Sequence, residues 1–258
     1  MQEILENNIY QGDCLELIKG IPDGSVDCVI TDPPYGITEN KWDKKVDLVA
    51  LWKELYRVAK PNAAFLFNSQ MPFTVDLVNN NRKDFRYEWI WEKSQGSGFL
   101  NANKMPLKIH EQILVFYRKL PTYNPQKWQG KPLTIKRSEI ISKNYNNHKT
   151  TPYINPIGLR HPVDIIKCDY DSLRYNSTQK NKPLHPTQKP VALIEYLIKT
   201  YTNPGEVVLD CFLGSGTTAV AAINTGRKYI GFEKETEYIE MAKKRIEALQ
   251  NTLTAPRP

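Results

Sequence analysis

The stretch EVVLDCFLGSGTT, residues 206–218, decides how the chain folds. A short apolar run with the β-branched content of a buried strand ends at Asp210, and Gly214 and Gly216 break the chain just before TTAVAAINTG takes up helical spacing. Glycines let a backbone pass close to a ligand, and the first turn of a helix leaves amide donors free. A second strand, KYIGFE (228–233), follows that helix and ends on Glu233, 17 residues beyond Gly216. Strand, glycine turn, helix and a second strand tipped by a carboxylate are the parts of a nucleotide-binding unit in an open α/β sheet, where the acid accepts from both hydroxyls of a ribose. Residue 219 is Ala where a dinucleotide fingerprint has its third glycine, and the turn carries no phosphate-loop lysine. A nucleoside cofactor suits this turn.

Working outward, the same alternation of short apolar runs and helical periodicity recurs on both sides, as expected for βαβ units on a parallel sheet. The N-terminal half reads as strand NIYQGD (8–13), helix CLELIKGI (14–21), strand VDCVITD (26–32), a polar loop GITENKWDKKVD (36–47), and helix LVALWKELYRVAK (48–60) ending at Pro61. Strand AAFLFNS (63–69) follows, then two β-like runs, YEWIWEK (87–93) and EQILVFYRK (111–119), separated by a long loop rich in Gly and Asn over 94–110. Between about Leu120 and Leu184 the pattern fades into Pro, Asn, Tyr and Lys, the mark of an inserted module or extended arm. Helix PVALIEYLIKTY (190–201) restores the alternation, and helix TEYIEMAKKRIEALQ (236–250) closes the chain with about six frayed residues after it.

Length and charge bound the rest. At 258 residues the chain suits one large α/β domain, or such a domain with an insertion. No apolar run is long enough to cross a bilayer and the N-terminus lacks a signal-peptide pattern, so a soluble cytoplasmic protein without a membrane partner is expected. Cys14, Cys28, Cys168 and Cys211 stand singly, which points to neither a metal site nor a disulfide framework. Residues 118–189 hold 14 Lys and Arg against 4 Asp and Glu, a net of +10 in a chain of net +7. The positive excess is therefore local, and the remainder is acidic.

Four residues after the strand VDCVI raise a separate question. Asp32, Pro33, Pro34 and Tyr35 stand where the strand delivers them to the carboxyl edge of the sheet, the edge at which open α/β folds bind ligands. Two prolines fix two φ angles and remove two amide donors, which makes the turn stiff and leaves its carbonyls as acceptors. An exocyclic amino group has two protons, and the Asp32 carboxylate and Pro33 carbonyl can take one each. Its nitrogen lone pair can then be aimed at an electrophilic carbon, with Tyr35 offering a flat face to a base. A rigid proline turn with a capping Asp is the plain alternative.

Together, DPPY, DCFLGSGTT, GFEKETEY and HPTQKP resemble the S-adenosylmethionine-dependent DNA amino-methyltransferases, specifically the β-class, in which the catalytic motif precedes the glycine motif. The resemblance implies an α/β, Rossmann-like, seven-stranded, mostly parallel sheet with one reversed strand, helices on both faces, a circularly permuted motif order and an inserted basic target-recognition region. The implied division is 1–118 for the catalytic half, 119–184 for the insertion and 185–258 for the cofactor half. By motif matching, Asp32, Pro33, Pro34 and Tyr35 are the catalytic positions. The implied cofactor contacts are Asp13, Asp32, His185, Thr187, Lys189, Asp210, Phe212, Gly214, Gly216, Thr217, Glu233 and Lys234. Asp13 matches the position that meets the cofactor's adenine, and His185, Thr187 and Lys189 the segment at its methionine end. Read without the resemblance, HPTQKP is also a helix start, with Thr187 as cap and Pro190 near the first turn.

The implied partner is double-stranded DNA, which would place the protein at the nucleoid. A basic segment with Tyr123, Trp128, Tyr145, Tyr153, Tyr170 and Tyr175 among asparagines suits groove and phosphate contact. Loop 36–47, with Trp42, is a candidate lid over an extruded base, and loop 94–110 a second. Asp at the first motif position goes mostly with adenine N6 chemistry in this family and Ser with cytosine N4. Cytosine stays as an alternative, as does a non-catalytic DNA-binding protein that retains the fold. No Pro-Cys motif is present, which speaks against carbon methylation of cytosine. A homodimer and a separate restriction endonuclease are left open.

Overall fold

The structure is a computed structural model and describes residues 4–36, 43–133, 141–142, 148–149, 155–167 and 188–254. His185, Thr187, Trp42, Tyr145, Tyr153, Tyr170, Tyr175 and Cys168 lie outside the described residues. The β-like runs become the strands β1 (Asn8–Gln11), β2 (Val26–Thr31), β3 (Ala59–Ser69), β4 (Phe85–Ser97) and β5 (Lys108–Phe116). Short ladders β6 (Trp128–Gln129), β7 (Ile141–Ser142), β8 (His148–Lys149) and β9 (Leu159–Arg160) follow, then β10 (Ile165–Lys167), β11 (Val207–Asp210) and β12 (Lys228–Glu233). The helices are α1 (Cys14–Leu17), α2 (Leu48–Val58), α3 (Phe73–Asn80), α4 (Val191–Tyr201), α5 (Thr217–Asn224) and α6 (Thr236–Thr254).

One sheet carries the fold, in the order β1-β12-β11-β2-β3-β5-β4-β10. Its pairs are parallel except those of β5, which runs against both β3 and β4. The architecture is the expected α/β one with a single reversed strand, but it has eight strands instead of seven. The extra strand is β10, three residues beside β4 in which Ile166 alone is buried. So short a strand, with one inward residue, has no periodicity to read.

Two apolar cores lie on the two faces. Along β3, Phe65 and Phe67 join Leu51, Trp52, Leu55 and Phe73 from α2 and α3, while Ala64 and Leu66 join Leu193, Leu197, Ala221 and Ala242 from α4, α5 and α6. Alternation along a strand buried on both sides produces this division. Asp47 caps α2 by accepting from the amides of Val49 and Ala50 at 3.0 Å. Pro61 does not end that helix. Extended backbone begins at Ala59, and Pro61 sits within β3, where the register against β2 shifts between Val26 and Cys28 and the missing donor costs no ladder bond. Helix α3, absent from the sequence reading, has only Phe73, Thr74 and Leu77 buried in a short polar stretch. Helix α4 starts after Pro190, whose side chain makes no capping bond.

Contacts divide the chain into two compact units, Met1–Asn124 with Asp164–Pro258, and Pro125–Val163. Within the smaller one, β6 pairs antiparallel with β9, β7 with β8, and Leu133 bridges to Asn155. Trp128 Nε1 donates to the His161 carbonyl at 3.2 Å, and 53% of Trp128 remains exposed. Among the described residues no helix is long and apolar enough to cross a membrane.

Candidate active site

A cavity of about 880 Å³ opens in the larger unit, lined by the turns that follow β1, β2, β11 and β12. It gathers residues far apart in sequence: Asp13; Asp32 to Tyr35; Lys189; Asp210, Phe212, Gly214 and Thr217; and Glu233 and Lys234. Gly216 lies just beneath, at the start of α5.

The glycine turn is braced from three directions. Asp210 Oδ1 accepts from Thr31 Oγ1 at 2.9 Å and from the Phe212 amide at 3.0 Å, and its Oδ2 accepts from Thr218 Oγ1 at 2.6 Å. One carboxylate thus ties the ends of β2 and β11 to the start of α5. Burial pushes its pKa up to about 6 in spite of those bonds, and the nearby Asp32 adds to the rise. Arg245, from α6, donates to the Ser215 carbonyl at 2.6 Å and to Thr217 Oγ1 at 3.2 Å, so the Thr217 hydroxyl is already engaged by the chain. Gly216 has φ +84°, and a side chain there would come within 2.7 Å of Ala242 Cβ. Only glycine meets both demands.

Glu233 caps the end of β12 over the same turn. Its Oε2 accepts from the Gly214 amide at 2.7 Å, and its Oε1 from the amides of Lys234 and Glu235 at 2.7 and 2.9 Å. Oε2, with one donor, keeps a further acceptor position. Burial raises the Glu233 pKa, against the pull of these amides. Asp13 caps α1 through the Leu15 amide at 3.0 Å and stands 3.8 Å from the Lys234 ammonium.

In the same cavity, Tyr35 Oη donates to Asp32 Oδ1 at 2.6 Å, and the Tyr35 ring stacks on Phe73 at 5.1 Å between centroids. One face of the tyrosine is therefore already packed. Burial, then the Asp32 carboxylate, holds the Tyr35 hydroxyl protonated by raising its pKa well above the usual value. The Gly36 amide donates to Asp43 Oδ1 at 2.7 Å and fixes the exit of the turn. Lys189, expected beside a cofactor, has its ammonium 2.6 Å from Asp32 Oδ2 and 3.4 Å from Glu111 Oε2. Lys93 approaches the other Glu111 oxygen at 3.1 Å.

Glu111 and Lys93 escape a motif-by-motif reading. Lys93 lies toward the carboxyl end of β4, whereas Glu111 lies near the start of β5, and reversal of β5 brings them to the same edge of the sheet. A strand that begins with an acid carries no sign of its own direction. Two further groups were also missed: the buried Asn68 Oδ1 and Gln188 Oε1 have no hydrogen-bond partner among the described residues, and both residues line the cavity. Asn68 Nδ2 donates to the Thr31 carbonyl at 3.3 Å, which fixes the direction of the amide. Buried acceptors left unpaired cost about 1–3 kcal/mol each, and a ligand carrying N–H donors removes that cost.

With this geometry in view, comparisons with known proteins are informative. A family model described as DNA methylase (N6_N4_Mtase) matches residues 26–244. The chain is 32% identical over 256 residues to the DNA adenine methyltransferase YhdJ of Escherichia coli (strain K12), covering 93% of this chain and 82% of that protein. It is 31% identical to the type II methyltransferase M.BglII of Bacillus subtilis, over 92% of this chain and 68% of the relative. Among solved structures, the M1.HpyAVI-SAM complex superposes with a TM-score of 0.62 at 27% identity, covering 92% of this chain and 98% of that one. The cytosine-N4-specific PvuII DNA methyltransferase superposes at 0.63 with 18% identity, covering 98% and 95%, a likeness of fold alone.

Proposed function

The chain belongs to that DNA methylase family, and from this membership we propose that it transfers a methyl group from S-adenosylmethionine to the N6 amino group of an adenine turned out of duplex DNA. The observation that carries the reading is one cavity shared by the Asp32–Tyr35 corner and the Glu233-capped glycine turn. The cavity fits the cofactor: a carboxylate with a spare acceptor position lines it and suits a ribose, and among the described residues two buried acceptors are unpaired and suit N–H donors. Glu233, Phe212, the Gly214 turn and Asp13 would hold the nucleoside, with His185 and Thr187 assigned to the methionine end by motif alone. When bound, S-adenosylmethionine supplies a methyl carbon made electrophilic by its sulfonium.

The chain's own part is positioning and acceptance of hydrogen bonds. The Asp32 carboxylate and the Pro33 carbonyl accept hydrogen bonds from the two amine N–H groups, which leaves the nitrogen lone pair free to point at the donor carbon, and the methylated nitrogen then loses one of those protons. Asp32 also faces the positive charge that grows on that nitrogen, and a carboxylate already held in place stabilises such charge with little reorganisation. Reaching the cavity requires the base to leave the stack, at a cost of a few kcal/mol. We assign the basic segment 119–184 to target recognition, and a separate endonuclease is the companion that the type II name of a relative suggests.

Adenine is favoured over cytosine by Asp at the first motif position and by the adenine activity in the name of the Escherichia coli relative. The test is transfer of labelled methyl from S-adenosylmethionine to plasmid DNA, followed by digestion to nucleosides and mass spectrometry. N6-methyldeoxyadenosine is expected. N4-methyldeoxycytidine would redirect the reading to cytosine, and no labelled nucleoside would overturn it.

A further inference from the structure

Both carboxylate oxygens of Asp32 are engaged by the protein's own groups. Oδ1 accepts from Tyr35, and Oδ2 lies against the Lys189 ammonium at 2.6 Å. That ammonium opposes the chemistry set out above. An amine that gains a methyl group becomes positive at nitrogen, so a lysine cation beside it raises the energy of the step. Lys189 has a second anion in reach, however: Glu111 Oε2 at 3.4 Å, whose other oxygen is held by Lys93 at 3.1 Å. The side chains of Lys189, Glu111 and Lys93 are only 11%, 20% and 15% exposed, so little water screens them.

Resting on the reading of Asp32 as the amine acceptor, we propose that Glu111 and Lys93 form a latch for Lys189. Before the amine enters, the ammonium rests on Asp32 and holds that carboxylate in place. As the amine enters, the ammonium moves by less than about 1 Å to full contact with Glu111 and leaves Oδ2 to the amine. Lys93 sets the pull, because two cations share the one Glu111 carboxylate. The chain Lys93, Glu111, Lys189, Asp32 alternates in sign and sums to zero, so the shift needs no counter-ion. Burial works against the charge on Lys189, but Asp32 and Glu111 outweigh it and raise its pKa. Burial likewise works against the charge on Glu111, and Lys189 and Lys93 outweigh it and hold its carboxyl below the ordinary range. Glu111 acts through Lys189 and is a positioning residue.

The test is a double-variant cycle on the full chain, with single-turnover methyl transfer to its own DNA target, S-adenosylmethionine binding by calorimetry and thermal melting on each form. Glu111→Gln leaves Asp32 as the sole anion for Lys189, and transfer is expected to slow about tenfold or more while cofactor affinity stays within about threefold. Glu111→Gln with Lys189→Met removes the ammonium as well, and transfer is expected to recover at least about fivefold over Glu111→Gln alone. Wild-type activity with a double variant no faster than Glu111→Gln overturns the latch alone. A wild-type chain that methylates no DNA amine overturns the functional reading and the latch together.

Discussion

Tyr35 Oη donates to Oδ1 and holds the Asp32 carboxylate in place, which is what the proposed acceptor role requires. Asp32→Ala or Tyr35→Ala is therefore expected to lower single-turnover methyl transfer by about a hundredfold or more, with cofactor affinity changed by less than about threefold. Rapid-quench kinetics and calorimetry on the same samples check this, and equal losses in both would remove these residues from the chemistry. Asp210 makes a different demand. Its folded pKa of about 6 lies above the ordinary carboxyl value, so the folded state holds the proton more tightly than the unfolded one. Stability from this group is greatest below about pH 4 and is lost as pH rises through about 6, where the ionised carboxylate costs on the order of 3 kcal/mol. Asp210→Asn is expected to raise the melting temperature relative to wild type more at pH 7.5 than at pH 4.5. An equal change at both values would show that the burial cost is not what the bracing bonds have to offset.

The elements of the sheet were legible wherever an apolar run met a helical period, and β12 occupies Lys228–Glu233 as read from KYIGFE. What could not be read were elements defined by their neighbours. Strand β10 exists because β4 offers an open edge, Pro61 is tolerated because β3 bulges there, and α3 is fixed by three buried residues. The glycine turn shows the same division between local and tertiary causes. Gly214 has φ +53° and, among the described residues beyond its chain neighbours, nothing within 4 Å of where a Cβ would stand, whereas Gly216 has φ +84° and abuts Ala242 of α6. Gly214→Ala is expected to cost about 1–2 kcal/mol from backbone strain, and Gly216→Ala about 2–4 kcal/mol because packing against α6 fails too. Urea unfolding of the two variants checks the difference, and equal costs would mean that α6 yields to the added methyl.

At the level of the whole molecule, the legible part of the site was the part written in single strand-to-helix turns, Asp32 to Tyr35 and Asp210 to Thr217. Asn68, Lys93 and Glu111 arrive from three other strands, and their meeting depends on the order β2-β3-β5-β4 and on the reversal of β5, neither of which is a local property of sequence. The uneven charge acts at this scale as well. With net +10 over residues 118–189, DNA affinity is expected to fall steeply and linearly in log–log form with added salt, as phosphate contacts release counter-ions. A flat response in a fluorescence titration would put DNA contact elsewhere. The decisive measurement is a crystal structure of the chain with its target duplex and an unreactive cofactor analogue. The expected result is an extruded adenine whose amino nitrogen lies within about 3.2 Å of the Asp32 carboxylate and faces the analogue's sulfonium-equivalent position. A base that stays stacked in the duplex, or sits away from Asp32 while the corner remains closed on Lys189, would contradict it.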